Sequence, residues 1–214
     1  MTVLDDQPHT AILQDLGREL MVYKFAVDEL MTKLRILSEE FDFAHQHDPI
    51  EHITSRVKQP KAIMGKLRRK GFEPSIEAVR EHIEDVAGIR VVCPFMPDVY
   101  MVAGMLGRQD DVEIVKTKDY IAAPKPNGYR SLHLIVRIPV FLSDRVEKVK
   151  VEIQMRTIAM DFWAAVEHKL FYKYEGEAPE DFAAELRAAA ATAADLDTRM
   201  TALHRQAQIS SSAP

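Results

Sequence analysis

The segment KVKVEIQMR at 148–156 alternates between apolar and polar side chains along its whole length. Successive side chains of a strand point to opposite faces of a sheet, so this alternation predicts a β-strand with two different faces. The apolar side chains are Val149, Val151, Ile153 and Met155, and the polar ones are Lys150, Glu152, Gln154 and Arg156. A solvated surface is the simpler explanation of the polar face. The apolar helical segment that follows, around Trp163, favours a cleft lined by that face instead.

Three further segments are rich in β-branched residues and predict strands at 88–93, 112–120 and 131–142. Apolar periodicity predicts a helix at 10–43. Start, cap and stop residues such as Pro60, Gly71, Ser75 and Gly107 indicate helices at 60–71, 75–83 and 98–107, and two more are expected at 157–174 and, from its alanine-rich composition, at 179–206. The stretch before the second helix is broken by Pro49 and is predicted to be a loop that carries Arg56 and Lys58. These elements predict an α+β fold, a mixed sheet of four or five strands flanked by helices, with long helices at both ends.

The 214 residues suit one substantial domain. We expect an N-terminal tail at 1–9, a single domain at 10–206 that includes the terminal helices, and a flexible C-terminal tail at 207–214.

Charge and cysteine content exclude several classes of protein. The formal net charge of -5 argues against a general nucleic-acid coat, which needs a positive surface. The single cysteine, Cys93, allows neither an intrachain disulfide nor a thiolate metal cluster, and indicates a reducing compartment. No apolar run approaches the roughly 20 residues of a membrane-spanning helix. We therefore expect a cytoplasmic protein with no membrane partner.

A cationic stretch lies between Ile53 and Phe72, where no acidic residue occurs. Its cations are Arg56, Lys58, Lys61, Lys66, Arg68, Arg69 and Lys70. A solvated helix face accounts for Arg68 and Lys70. The other cations could converge on a polyphosphate.

Asp85 stands just before the strand at 88–93, and Arg90 lies within that strand on the face opposite Ile89 and Val91. A carboxylate at the mouth of a strand suits Mg²⁺, which is usually held by one or two carboxylates together with substrate phosphates. A role for Asp85 as a turn or cap residue is equally consistent with the segment.

The segment KPNGYRSLHLIV at 125–136 places a Pro-Asn-Gly turn, Lys125, Tyr129 and His133 at the entrance of a strand. Carboxylates, a cationic stretch and an aromatic turn together suit phosphate transfer by positioning and charge neutralisation. No P-loop, no GxGxxG and no zinc-type His pair is present in the sequence. The residue types alone therefore indicate a nucleotide-dependent transferase.

Four separated motifs, ITSRVKQPKAIMGKLRRKG, DVAGIRVV, DYIAAPKPNGYRSLHLIV and VEIQMRTIAMDFWAAVEHKLFYKY, occur in this order. Over about residues 20–175 the chain resembles the synthetase domain of the RelA/SpoT family, in particular the stand-alone small alarmone synthetases of the RelQ/YjbM type. The resemblance implies a nucleotidyltransferase-like fold. It also implies that the β,γ-pyrophosphate of ATP is transferred to the 3′-hydroxyl of GDP or GTP, which gives AMP and ppGpp or pppGpp in stringent-response signalling.

The resemblance also implies roles for individual residues. Asp85 would hold Mg²⁺, and Glu152 would assist the metal and act as general base. Arg56 and Arg90 would enclose the adenine, and Lys58, Lys66 and Arg69 would contact the ATP phosphates. Tyr129 would stack on guanine, with Lys118, Lys125, His133 and Gln154 at the acceptor nucleotide.

Members of the RelQ type form tetramers whose central cleft binds pppGpp and single-stranded RNA. A homotetramer with these effectors is therefore implied, although His52 stands where that cleft is expected to carry a Phe.

Two other functions remain open. One is a catalytically silent regulator that binds nucleotides or RNA, which would not need Asp85 and Glu152 together. The other is a structural oligomerisation protein built on the terminal helices. That function would not explain the cationic stretch.

Overall fold

The computed structural model describes the backbone of residues 7–172 and 179–211 and the side chains of residues 16–170 and 179–209. The elements are α1 (Gln7–His45), β1 (His52–Val57), α2 (Pro60–Arg69), α3 (Ile76–His82), β2 (Ala87–Cys93), α4 (Met96–Gly107), β3 (Glu113–Asp119), β4 (Leu132–Phe141), β5 (Val146–Thr157), α5 (Ile158–Tyr172) and α6 (Glu180–Ser211).

The strands form one five-stranded sheet in the order β1-β2-β5-β4-β3. β2 and β5 run parallel, and the other neighbouring pairs are antiparallel. The predicted α+β class and mixed sheet are confirmed.

The core lies on one face of the sheet, where α1 and α4 pack. Leu30 and Leu34 of α1 and Leu106 of α4 have no exposed surface, and Ile153 of β5 is equally buried beneath them. Burying one such side chain stabilises the fold by about 1.5–3 kcal/mol relative to leaving it in water. With the helices on this face, the polar face of β5 is left to line a site.

Each predicted helix and strand has a counterpart in the structure, which adds β1. The structure corrects the predicted loop there, because Arg56 lies in β1 and Lys58 follows directly after it. Only Ile53 and Val57 of this edge strand are partly buried, and its other residues are exposed. The strand therefore depends on pairing with β2 and carries little hydrophobic pattern of its own.

The terminal helices are longer than predicted. α1 begins at Gln7, and α6 continues to Ser211. The end of the predicted helix at 157–174 lies outside the described residues from position 173 onward.

α6 packs against α5 and the end of β5. The Trp163 indole Nε1 donates to the Leu186 carbonyl at 3.0 Å. The Thr157 hydroxyl donates to Asp197 Oδ2 at 2.6 Å and accepts from the Met160 backbone N–H at 3.1 Å, at the first turn of α5. Of the helices described, none is both long and apolar enough to cross a bilayer.

Candidate active site

Strand register brings the predicted site residues of different strands together. Directly paired residues across the sheet are Thr54, Arg90, Gln154, His133 and Lys118, in the order β1, β2, β5, β4 and β3. Paired residues in neighbouring strands point to the same face. Glu152 lies in the adjacent row, paired with Gly88 of β2, which itself pairs with Arg56 of β1. The sheet thus assembles residues that are far apart in sequence on its polar face.

A cleft of about 210 Å³ opens on this face at β1, β2 and β5. Its lining residues are Thr54, Ser55, Arg56, Asp85, Gly88, Ile89, Arg90, Glu152 and Gln154. The cleft therefore contains both predicted catalytic carboxylates and both arginines predicted to enclose the adenine.

Two lysines hold the Asp85 carboxylate. Lys58 Nζ lies 2.7 Å from Asp85 Oδ2, and Lys66 Nζ lies 2.7 Å from Oδ1. Lys58 also donates to the Asp85 backbone carbonyl at 3.1 Å. Partial burial alone would raise the pKa of Asp85, but the bonds from the two lysines outweigh it and hold that pKa below its ordinary value. Asp85 is therefore ionised at neutral pH and keeps two cations at the rim of the cleft.

Arg69, the third residue predicted to contact the ATP phosphates, lies in the last turn of α2, three residues after Lys66. It is exposed and does not line the cleft. Arg90, in contrast, is held in place, with Nη1 3.3 Å from Asp161 Oδ1 in the first turn of α5.

The turn before β4 forms the other side of the site. The Gly128 N–H donates to the Lys125 carbonyl at 2.8 Å, and the Lys125 N–H donates to the Tyr129 carbonyl at 3.1 Å. Gly128 has a φ of +90°, and a Cβ there would come within 2.5 Å of Ala190 Cβ on α6. The turn requires glycine both for its backbone conformation and for the close approach of α6.

Aromatic and cationic side chains cluster at this turn. Lys125 Nζ lies 4.6 Å from the centre of the Tyr129 ring and 4.7 Å from that of the Tyr120 ring. The Tyr120 and His133 rings meet edge to face, with centroids 5.2 Å apart. Lys118 lies beside His133 in the sheet, and its ammonium is 3.6 Å from Glu84 Oε2.

A closed ring of hydrogen bonds joins Glu152 to the turn before β4, which is called the acceptor-side turn because the acceptor nucleotide is predicted to bind there. His133 Nδ1 lies 3.1 Å from Glu152 Oε1, and Tyr129 Oη lies 2.8 Å from His133 Nε2. Gln154 Nε2 donates to Glu152 Oε2 at 3.0 Å. Arg156 Nη2 closes the ring by donating to Tyr129 Oη at 2.6 Å and to Gln154 Oε1 at 3.1 Å.

This environment keeps Glu152 ionised. Burial alone would raise its pKa, and the charge of Asp85 adds to that effect. The bond from His133, the positive charge of that imidazole when it is protonated, and the bond from Gln154 together outweigh both and hold the pKa of Glu152 below its ordinary value. A carboxylate in this state can accept a proton from a nearby hydroxyl.

No role was predicted from the sequence for four residues that the structure places in or beside the site, namely Arg156, Asp161, Tyr120 and Glu84. Arg156 was predicted only to lie on the polar face of β5. Asp161 follows it by five residues across the junction of β5 and α5, a spacing that no strand or helix period would single out. The available signal was the acidic residue in the first turn of an apolar helix.

The chain has extensive similarity to known proteins. A family model for the region found in RelA/SpoT proteins matches residues 55–177. The chain is 50% identical over 206 residues to the GTP pyrophosphokinase YwaC of Bacillus subtilis, which covers 96% of this chain and 97% of that protein. It is 41% identical over 191 residues to the GTP pyrophosphokinase YjbM of the same organism, with 89% of each chain covered. Identity is thus higher to YwaC than to YjbM, the type to which the motifs were compared.

Solved structures agree with this similarity. Small alarmone synthetase 1 of Bacillus subtilis, bound to its product pppGpp, superposes with a TM-score of 0.83 at 38% identity, and the match covers 91% of this chain and 99% of that one. The fold and most of the length are therefore shared.

Proposed function

Because the chain belongs to the RelA/SpoT family, we propose that it is a (p)ppGpp synthetase, a GTP pyrophosphokinase that transfers the β,γ-pyrophosphate of ATP to the 3′-hydroxyl of GDP or GTP and releases AMP. The observation that carries this proposal is the position of Glu152. It lines the same cleft as Asp85 and is hydrogen-bonded to His133 on the acceptor side. One carboxylate thus lies between the two halves of a two-nucleotide site.

On the donor side, Arg56 and Arg90 enclose the adenine, since planar guanidinium groups stack on a purine. Lys58, Lys66 and Arg69 bind the phosphates. Asp85 holds Lys58 and Lys66 close together, so both ammonium groups lie near the cleft.

On the acceptor side, Tyr129 stacks on guanine, and Lys125 meets a phosphate group beside it. Lys118, His133 and Gln154 orient the acceptor so that its 3′-hydroxyl faces Glu152. Glu152 accepts the hydroxyl proton as the oxygen attacks the β-phosphorus, and AMP leaves from the opposite side. The lowered pKa of Glu152 keeps this carboxylate ionised at neutral pH.

The two carboxylates suit Mg²⁺. Across the described chain, no cluster of three or more His, Cys, Asp or Glu side chains is arranged to hold a metal ion. Mg²⁺ is commonly bound by one or two carboxylates and completed by substrate phosphates, and Asp85 and Glu152 fit that pattern. Bound there with ATP, Mg²⁺ would neutralise the phosphate charge that develops during transfer.

Assembly is part of the proposal. On α6, Leu196, Met200 and Leu203 follow one another at helical spacing and are 52%, 45% and 57% exposed. On α1, Phe43 is 91% exposed. Such apolar surface supports the homo-oligomer, a tetramer by resemblance, that was expected from the sequence. Light scattering after gel filtration tests it, and a monomer at micromolar concentration would contradict it.

We also propose, from the sequence, that the protein is cytoplasmic and that pppGpp or single-stranded RNA acts as an effector of the assembled protein. His52, the residue that departs from the expected aromatic, is exposed on the edge strand β1.

The enzymatic proposal is tested by incubation with ATP, Mg²⁺ and either GDP or GTP, followed by anion-exchange separation of the nucleotides. AMP is expected in the same molar amount as the guanosine product, which is ppGpp from GDP and pppGpp from GTP. If neither product forms while ATP still binds, the chain is a silent nucleotide-binding regulator instead. Omission of Mg²⁺, with chelator present, is expected to stop the reaction.

A further inference from the structure

One guanidinium connects three parts of the site. Arg156, at the end of the polar face of β5, is 5% exposed. Besides its bonds to Tyr129 and Gln154, its Nη1 donates to Asp161 Oδ1 at 3.0 Å. The same Asp161 oxygen lies 3.3 Å from Arg90 Nη1. Arg156 therefore joins the acceptor-side turn, the polar face of β5 and the first turn of α5.

Both carboxylate oxygens of Glu152 are oriented by groups that Arg156 holds. Oε1 is bonded to His133, which is bonded in turn to the Tyr129 hydroxyl, and Arg156 donates to that hydroxyl. Oε2 accepts from Gln154, whose own carbonyl accepts from Arg156. If the guanidinium moved, the hydrogen bonds to both carboxylate oxygens of Glu152 would change.

The direction of donation along the first route follows from its two ends. The ionised carboxylate of Glu152 can only accept, so His133 Nδ1 carries the proton that is donated to Oε1. Arg156 has donors and no acceptor, so the Tyr129 oxygen accepts from it and its hydroxyl proton is left for His133 Nε2 when the imidazole is neutral. Arg156 thus orients the Tyr129 hydroxyl that supports His133 against Glu152.

Stability alone does not explain a buried arginine at this position. Within the described part of the chain, Arg156 Nε is buried without a hydrogen-bond partner. An unpaired buried donor costs free energy, and apolar replacements of buried ion pairs are often neutral or stabilising. Removal of Arg156 would still leave Asp161 paired with Arg90.

From these contacts we infer that Arg156 is a positioning residue of the pyrophosphate transfer, which fixes the orientation of Glu152 by way of the Tyr129–His133 contact and of Gln154. The inference rests on the proposed function, because it takes Glu152 as the base for the acceptor hydroxyl. Asp161 extends the connection to Arg90 on the donor side.

The kinetic test is a double-mutant cycle on Arg156→Met and Tyr129→Phe. Each single variant is expected to lower kcat by roughly 10²-fold, the lower end of what general-base catalysis contributes, with the KM for ATP little changed. The double variant is expected to be no slower than the slower single variant. Arg137→Met is the matched control, because Arg137 is a strand arginine that pairs with Glu113 at 2.9 Å, and it is expected to keep the wild-type kcat.

An unchanged kcat in Arg156→Met, or losses that multiply in the double variant, would overturn the inference. If Arg156→Met does not fold, as judged by circular dichroism, Arg156→Lys replaces it in the cycle with the same expected outcomes. A single ammonium cannot reproduce the planar fork that serves three acceptors.

A spectroscopic test does not depend on turnover. In ¹⁵N spectra of histidine-labelled protein at alkaline pH, where imidazoles are neutral, His133 is assigned by comparison with His133→Gln. The hydrogen bond from the Tyr129 hydroxyl is expected to hold the Nε2 resonance of His133 away from that of an unbonded imidazole nitrogen in the wild type, and this displacement is expected to be lost in a folded Arg156 variant. An Nε2 resonance that is unchanged in that variant would overturn the inference. Absence of AMP from the wild-type reaction would instead contradict the proposed function, while the Nε2 resonance would still show whether Arg156 holds the Tyr129–His133 contact.

Discussion

His133 Nδ1 lies 3.1 Å from Glu152 Oε1, and the two residues belong to neighbouring strands, β4 and β5. Both residues were expected to take part in pyrophosphate transfer. His133 was expected to bind the acceptor nucleotide, and Glu152 was expected to accept the proton of its 3′-hydroxyl. Their contact means that acceptor binding and the state of the base are coupled. Substitutions on either side of this contact are therefore expected to affect turnover more than nucleotide binding.

Glu152→Gln is expected to reduce turnover by about 10²- to 10⁴-fold, because the neutral amide cannot accept the hydroxyl proton. The Kd for ATP, measured by calorimetry without Mg²⁺, should stay close to that of the wild type. Glu113→Gln, on the exposed edge strand β3, is the control and should be fully active. Turnover that survives in Glu152→Gln would remove the role assigned to this carboxylate.

Two substitutions separate the ring of Tyr129 from its hydroxyl. Tyr129→Ala is expected to raise the KM for the acceptor by roughly 5- to 150-fold, since stacking of a base on an aromatic ring is worth about 1–3 kcal/mol. Tyr129→Phe keeps the ring and should leave that KM nearly unchanged while lowering kcat. Steady-state kinetics with GDP and GTP measure both. An unaltered acceptor KM in Tyr129→Ala would argue against stacking at this position.

Gly128→Ala is expected to destabilise the fold by about 2 kcal/mol or more. A φ of +90° strains any residue with a Cβ, and the added carbon would meet Ala190 on α6 at 2.5 Å. The matched control is Gly17→Ala, where an added Cβ has nothing within 4 Å and helix propensity predicts a gain of roughly 0.5–1 kcal/mol. Urea unfolding measures both. Addition of Ala190→Gly should recover part of the loss, and equal effects at the two glycines would contradict the assigned close contact.

Asp197 makes stability depend on pH in a definite direction. Burial raises the pKa of this carboxyl, although the Thr157 hydroxyl and the charge of Arg130 act against the rise. The folded state then binds more protons than the unfolded state between the two pKa values, so this carboxyl contributes less stability as pH rises through that window. The stability of Asp197→Asn relative to wild type should therefore increase from about pH 4, near the ordinary value for Asp, toward neutral pH.

Urea unfolding at a series of pH values gives that difference for Asp197→Asn. Asp195→Asn, on the same helix but 59% exposed and paired with Arg199, is the control and should show no such trend. A stability of Asp197→Asn relative to wild type that decreases toward neutral pH would show that the sign is wrong.

The sequence predicted most of the fold because its strongest patterns are local. The alternation at 148–156 identified β5 and its polar face, helical periodicity identified α1, and alanine-rich composition identified α6. β1 was missed because only two of its six residues contact the core and its conformation depends on β2. The ends of the terminal helices were placed too far inward because polar residues there continue the helices without an apolar pattern.

The site was predictable residue by residue but not as a network. The ring through Glu152, His133, Tyr129, Arg156 and Gln154 depends on the register between β4 and β5 and on where α5 begins, and neither quantity is encoded in a local period. Arg156 and Asp161 are five positions apart in sequence yet form one ion pair because the chain turns from strand to helix between them.

The central claim, that the terminal pyrophosphate of ATP moves intact to the acceptor, is tested most directly with labelled ATP. Parallel reactions contain GTP, Mg²⁺ and ATP labelled with ³²P at either the β- or the γ-phosphorus. Both labels are expected to appear to the same extent in the guanosine pentaphosphate, and neither is expected in AMP. Label released as inorganic phosphate or pyrophosphate, with none in a guanosine product, would contradict it.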